Sequence, residues 1–251
     1  MTRVSRPHPI AMLHRILASV RNRETQLYLR SLLLSLPPAT SESLAGVATR
    51  GNIDVSDWCS DAHRYRPMRY HLLCTVLPHI NPDDVFVDLG CGKGRVVWFV
   101  ATRCRLKRIM GIEIVPELAR MARENIAKSK TRLLTPVAIV EGDASEVDLS
   151  EGTVYFLNNP FGEKTLHKVL ENISSGLLAR PRSIRILYFA WGKDPDQAHI
   201  LDEVAWLCAG MRYSYGTHRL GVWRNQTQCA CALSEKTSVA RSSRVLGNAL
   251  A

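Results

Sequence analysis

Asp84-Val85-Phe86-Val87-Asp88-Leu89-Gly90-Cys91-Gly92-Lys93-Gly94-Arg95 carries the strongest structural signal in this chain of 251 residues. A short apolar strand closes on an acid, and a glycine loop opens straight into a second apolar run. Ile109-Met110-Gly111-Ile112-Glu113 then reads as another strand ending on a carboxylate, 19 residues after Gly94. A βαβ unit of this length sets loop and carboxylate side by side at the carboxyl edge of a parallel sheet, where nucleoside ligands bind. Glycines let the backbone approach a ligand, and a carboxylate can accept two hydrogen bonds from a ribose diol. The spacing narrows the ligand. A dinucleotide loop needs Gly-x-Gly-x-x-Gly or Ala, the last residue being small for helix–strand packing. Arg95 stands there and is too bulky; the spacing is instead Gly90-x-Gly92-x-Gly94.

From this unit the elements alternate outward. Strands are predicted over 84–89, 108–114, 136–140, 153–158 and 184–190, with helices over 94–103, 116–129 and 163–178. Alternation of this kind implies an α/β fold, a doubly wound, Rossmann-like parallel sheet with helices on both faces. A helix follows Asp196 to about Cys208, and strands over 212–217 and 220–224 are expected to pair as an antiparallel edge. Upstream, apolar residues at helical spacing run from Ile10 to Leu32 and stop at Pro37-Pro38. Residues 39–62 read as a linker, and a helix is expected from about Pro67 to Leu77. The division is therefore a basic helical extension and linker (1–61), a catalytic domain (62–228) and a disordered Ser/Ala/Arg-rich tail (229–251).

Three further segments carry chemistry. Glu141-Gly142-Asp143-Ala144 follows the third strand. Thr153-Val154-Tyr155-Phe156-Leu157-Asn158-Asn159-Pro160-Phe161-Gly162 ends the fourth strand in two amides, a proline and an aromatic. Amide and carbonyl oxygens can hold an amine's hydrogens, and the Phe161 ring can exclude water and attract a cation. Tyr65-Arg66-Pro67-Met68-Arg69-Tyr70 lies ahead of the glycine loop.

The strand, triplet and Glu113 together resemble class I S-adenosylmethionine-dependent methyltransferases. The resemblance implies that S-adenosylmethionine is the cofactor. It assigns Asp88, Gly90, Gly92 and Gly94 to the cradle for its methionine end and Glu113 to its ribose. Asp143 would accept from the adenine amino group, beside the backbone N–H of Ala144. Asn158 to Gly162, with the tyrosine–proline segment upstream, resembles the non-SET histone lysine methyltransferases of the disruptor-of-telomeric-silencing type and their bacterial relatives. On that likeness Asn158, Asn159, Phe161, Tyr65 and Tyr70 are candidate catalytic residues. Packing at a helix start accounts equally well for the two tyrosines. Lys93 and Arg95 could hold a carboxylate, although a solvated loop charge is the simpler reading. Methyl transfer to an amino group, with protein lysine as acceptor, is the favoured function. RNA or a small metabolite as acceptor, and a cofactor-binding regulator without turnover, are the alternatives. No general base is evident.

Composition sets the remaining bounds. The net charge is +10. Residues 1–70 carry ten Lys+Arg against five Asp+Glu, whereas 71–200 carry 17 against 15. The excess thus lies toward the ends, where solvated extensions are a simpler reading than an anionic partner; a protein substrate is possible, and nucleic acid is possible but not favoured, since no aromatic-rich basic segment offers a stacking platform. No apolar run approaches the roughly 20 residues of a bilayer span. The Arg- and Ser-rich start resembles a transit peptide in composition, but an exposed basic helix in a cytoplasmic protein is the reading preferred. Seven cysteines form no framework and no paired zinc motif, so reduced thiols and no metal are expected. His63, His71 and His79 read as surface or packing residues. Oligomeric state is not legible.

Overall fold

The central strand β1 (Val85–Leu89) is buried along its whole length, as a parallel strand covered on both faces must be. The computed structural model describes residues 42–43, 45–55, 61–191 and 197–226; the helix expected from Ile10 and the tail expected beyond 229 lie outside them. Beside β1 lie β2 (Arg108–Glu113) and β3 (Val137–Glu141) on one flank. On the other lie β4 (Val154–Leu157), β5 (Arg185–Trp191), β7 (His218–Asn225) and β6 (Leu207–Tyr215). The seven-stranded order is β3-β2-β1-β4-β5-β7-β6. The first five are parallel, and β7 runs antiparallel to both β5 and β6. Strand order therefore reverses between β1 and β4, and ligands of such sheets bind at that switch point, off the carboxyl ends.

Four helices follow the strands as the alternation predicts. They are α2 (Arg95–Ala101), α3 (Pro116–Ala127), α4 (Glu163–Ala179) and the short α5 (Ala198–Glu203). Helix α2 is instructive. Its Val96-Val97-Trp98-Phe99-Val100 run has poor helix propensity, yet every one of these side chains is buried, so packing overrides propensity. The core forms two layers. Met68, Leu72, Phe86, Val97, Phe99 and Phe156 fill one face of the sheet, and Leu89, Tyr155, Leu157, Ile173 and Trp223 the other.

Several expectations are corrected. The helix expected over 67–77 is only one turn, α1 (Tyr70–Leu73), followed by a 3-10 turn at Leu77–His79, because Pro78 interrupts the backbone ladder. The helix expected to reach Cys208 ends at Glu203; Leu207 already pairs with Asn225. The antiparallel pair forms, but β7 rather than β6 joins the parallel sheet. A bulge lies in β6 between Cys208 and Met211, where a side chain on Gly210 would fall 1.6 Å from the Val222 carbonyl oxygen. Residues 45–55, expected within a linker, are packed: Ala45, Val47, Thr49 and Val55 are buried. Cys74, Cys91 and Cys104 are free thiols, while Cys208 is disulfide-bonded, against the expectation of reduced cysteines throughout. Among the described residues no helix is long and apolar enough to cross a membrane.

Candidate active site

At the switch point a cavity of about 360 Å³ opens over the carboxyl ends of β1, β2 and β4. Its floor is the glycine loop. Gly90 (φ 77°) and Gly92 (φ 55°) are left-handed, a conformation glycine takes without strain. A side chain at Gly90 would meet Pro160 at 2.4 Å, and one at Gly92 the Tyr65 ring at 2.2 Å. The expectation that these glycines make room for a ligand is thus refined: Gly90 lines the cavity, whereas Gly92 makes room for the tyrosine and Gly94 starts α2 against Ala122.

Two carboxylates face each other across this floor. Glu113 ends β2; its Oε2 accepts from the Gly92 N–H at 2.7 Å and its Oε1 from the Val115 N–H at 3.0 Å. Burial pushes its pKa up while the backbone donors hold it down. Asp88 lies one residue before the end of β1 and is 2% exposed, and its Oδ2 has no hydrogen-bond partner. Burial, with the Glu113 charge beside it, holds Asp88 well above the usual carboxylate range. A buried carboxylate oxygen without a donor is costly unless something cationic fills the site. Gly142, Asp143 and Ala144 complete this half; Asp143 Oδ1 accepts from the Ser145 N–H at 2.8 Å and shapes the turn. These residues fit S-adenosylmethionine: Asp88 would take its ammonium, Glu113 its ribose diol and the Asp143 turn its adenine.

Lys93 and Arg95 are not solvated loop charges. Lys93 Nζ donates to the Arg50 carbonyl at 2.6 Å and lies over the Tyr65 ring. Arg95, buried at the start of α2, donates to Glu42 at 2.6 Å, to Thr49 Oγ1 at 2.7 Å and to the Met68 carbonyl at 2.9 Å. Glu42 also accepts from the Tyr70 hydroxyl at 2.9 Å and from the Thr49 N–H and hydroxyl. Tyr70 therefore belongs to this buried cluster, under the Arg95 guanidinium, and does not line the cavity. Its candidacy as a catalytic residue is corrected on that ground. Tyr65 does line the cavity, but its hydroxyl donates to the Thr49 carbonyl at 2.7 Å, and burial drives its pKa well up, so the phenol stays protonated.

The opposite wall is the loop after β4. Asn158, Asn159 and Phe161 all reach the cavity. Asn158 Oδ1 accepts from the Trp191 indole N–H at 3.0 Å; since an indole only donates, this fixes which way the amide faces. Asn159 Oδ1 accepts from the buried Tyr188 hydroxyl at 2.6 Å. Asn159 sits at φ 47°, left-handed, a conformation that asparagine tolerates better than most residues. The loop is pinned by the segment ahead of α1. His63 N–H donates to the Pro160 carbonyl at 2.9 Å, Ala62 bridges Phe161, and His63 Nδ1 lies 3.0 Å from the Asn159 carbonyl oxygen.

Sequence reasoning missed Trp191, Glu42 and the engaged position of His63. Only Trp191 left a signal, as an aromatic at a strand's carboxyl end. Among the described residues no group of three or more His, Cys, Asp or Glu side chains gathers as metal ligands.

The chain is similar over parts of its length to several methyltransferases. Over 75 residues the chain is 40% identical to a protein-lysine N-methyltransferase of Saccharolobus islandicus (strain REY15A), covering 30% of this chain and 45% of that protein. Over 94 residues it is 30% identical to a probable cobalt-precorrin-6B C(15)-methyltransferase (decarboxylating) of Methanocaldococcus jannaschii, covering 37% and 47%. The matches thus span less than half the length of these relatives. A solved RNA methyltransferase from Salinibacter ruber, in complex with S-adenosyl-L-homocysteine, is 22% identical with a TM-score of 0.47, covering 64% of this chain and 94% of that one. The family described as histone methylation protein DOT1 matches residues 62–189, from the bridge at Ala62 through both motifs to β5. On that span, half of its length, the chain belongs to the DOT1 family and carries a class I S-adenosylmethionine-dependent methyltransferase domain.

Proposed function

We propose that this protein transfers a methyl group to an amino group, with protein lysine as the acceptor. One observation carries the reading: a wall of two oriented amides and an aromatic, Asn158, Asn159 and Phe161, faces the glycine loop across a single cavity. The similarity to a protein-lysine N-methyltransferase supports it. S-adenosylmethionine, when bound, supplies an activated methyl, so the chain's own task is alignment and desolvation. Alignment of a near-attack pair is worth roughly 7–11 kcal/mol. The free lysine ammonium has a pKa of about 10.4, and an aromatic slot that excludes water lowers it. Phe161 and Trp191 supply that slot, and the two asparagines, held by Trp191 and Tyr188, aim the acceptor.

Radiolabelled S-adenosylmethionine incubated with a fractionated lysate tests the acceptor. Label in lysine side chains is expected; label confined to RNA or to small molecules overturns the reading. Asn159 is tested with Asn159→Gly, which keeps the left-handed backbone unstrained. Single-turnover methylation should slow by about one to three orders of magnitude. Tyr188→Phe removes the same hydrogen bond but keeps the amide and should slow transfer far less.

A further inference from the structure

We propose that His63 is the general base that takes the proton from the acceptor ammonium, a role that rests on the amino-group reading above. Among the described residues it is the only histidine lining the cavity, and it is tied at two points to the loop that forms the acceptor wall. The Asn159 carbonyl, 3.0 Å from Nδ1, can only accept, so Nδ1 carries the hydrogen. The neutral ring then has its lone pair on Nε2, and the protein's grip on Nδ1 and on the backbone keeps the ring from turning. A tethered imidazole with one free nitrogen at a reaction cavity is how proteins hold a base ready.

The surroundings suit the task. Arg64 and Arg66 from its own segment, with Asp54 from the preceding one, also line the cavity. Asp88, Glu113 and Asp143 line it as well, and Arg95 is already held by Glu42. Burial keeps the Tyr65 phenol and the Cys91 thiol neutral, so neither competes as a base. Asp88 and Glu113 sit in the cofactor half, leaving the acceptor half to His63. The step balances simply. The ammonium N–H bond breaks, its proton goes to Nε2, and the freed lone pair forms the N–C bond as the sulfonium S–C bond breaks. The imidazolium then returns the proton to solvent.

His63→Asn tests this, because its amide N–H replaces Nδ1–H toward the Asn159 carbonyl while nothing replaces Nε2. With a nuclease-treated lysate protein fraction as acceptor, the wild-type rate should carry a pH-dependent limb. His63→Asn should lose that limb and fall about 100-fold at neutral pH, with affinity for S-adenosylhomocysteine kept within about threefold. A wild-type rate and pH profile in the variant, or loss of cofactor affinity in step with rate, overturns the proposal. A second readout needs no acceptor. Nitrogen NMR of the wild-type protein bound to S-adenosylhomocysteine should show His63 as the Nδ1–H tautomer; an Nε2–H tautomer overturns the assignment whatever the substrate. Labelling of non-amine acceptors alone, with the Nδ1–H tautomer present, marks instead the failure of the amino-group reading.

Discussion

Asp88 sets up a conflict between stability and binding that can be measured. A carboxyl held above its unfolded value keeps its proton in the native state while the unfolded chain, with a pKa of about 3.9, has lost it. The native state then binds more protons, so stability falls as pH rises from that value up through the raised one. Urea unfolding against pH should show a steeper decline in the wild type than in Asp88→Asn, where raised Glu113 still contributes. The same substitution should weaken S-adenosylhomocysteine by about 10- to 100-fold, the scale of a charged hydrogen bond. Glu113 acts differently, because it also holds the loop through the Gly92 and Val115 N–H groups. Glu113→Gln turns an amide donor toward one of them. It should cost about 1–3 kcal/mol of stability in denaturation as well as at least about tenfold in affinity by calorimetry. Both positions were legible because the carboxyl end of a strand is marked by local pattern. Arg95 was not: its partner Glu42 is 53 residues away, and His63 is 96 residues from Asn159. Nothing in a run of sequence announces such a contact.

At the scale of elements, the strands and long helices were readable from periodicity and glycine, and their ends fall within a few residues of expectation. What failed was the polar stretch before the domain. Its composition reads as linker, yet Glu42 and Thr49 close a buried ion-pair cluster at the root of α2. Breaking a buried pair from one side leaves an uncompensated charge and costs about 3–5 kcal/mol. Glu42→Ala should lose that much in chemical denaturation. A chain begun at residue 62 lacks Glu42 and Thr49 together and should be destabilised at least as far, while one begun at residue 41 keeps both. Retained full stability in the shorter chain would make this cluster incidental. The short α1 and α5 were misjudged for a related reason: each is set by what it packs on, and each has too few turns to show a period.

Across the whole molecule, the cavity draws residues from Asp54 to Trp191, so ligand binding should tighten the entire sheet edge. S-adenosylhomocysteine at 100 times its Kd adds about 2.7 kcal/mol, which for a domain of this size raises Tm by roughly 5–11 °C. Differential scanning fluorimetry checks this, and an unchanged Tm at saturation would exclude the site. The βαβ rhythm announced a parallel sheet with helices on both faces, whereas the strand order and the insertion of β7 inside β6 are non-local choices invisible to alternation. That insertion places the nine residues of β6 at the edge of the sheet among the described residues. A straight margin of this length invites a second copy to add its own strand and begin an aggregate. The bulge between Cys208 and Met211, with Gly210 pressed on the Val222 carbonyl, breaks the hydrogen-bonding rhythm there, and Arg212 and Ser214 beyond it are exposed. A small irregularity away from the cavity thus breaks the straight edge that an added strand would need.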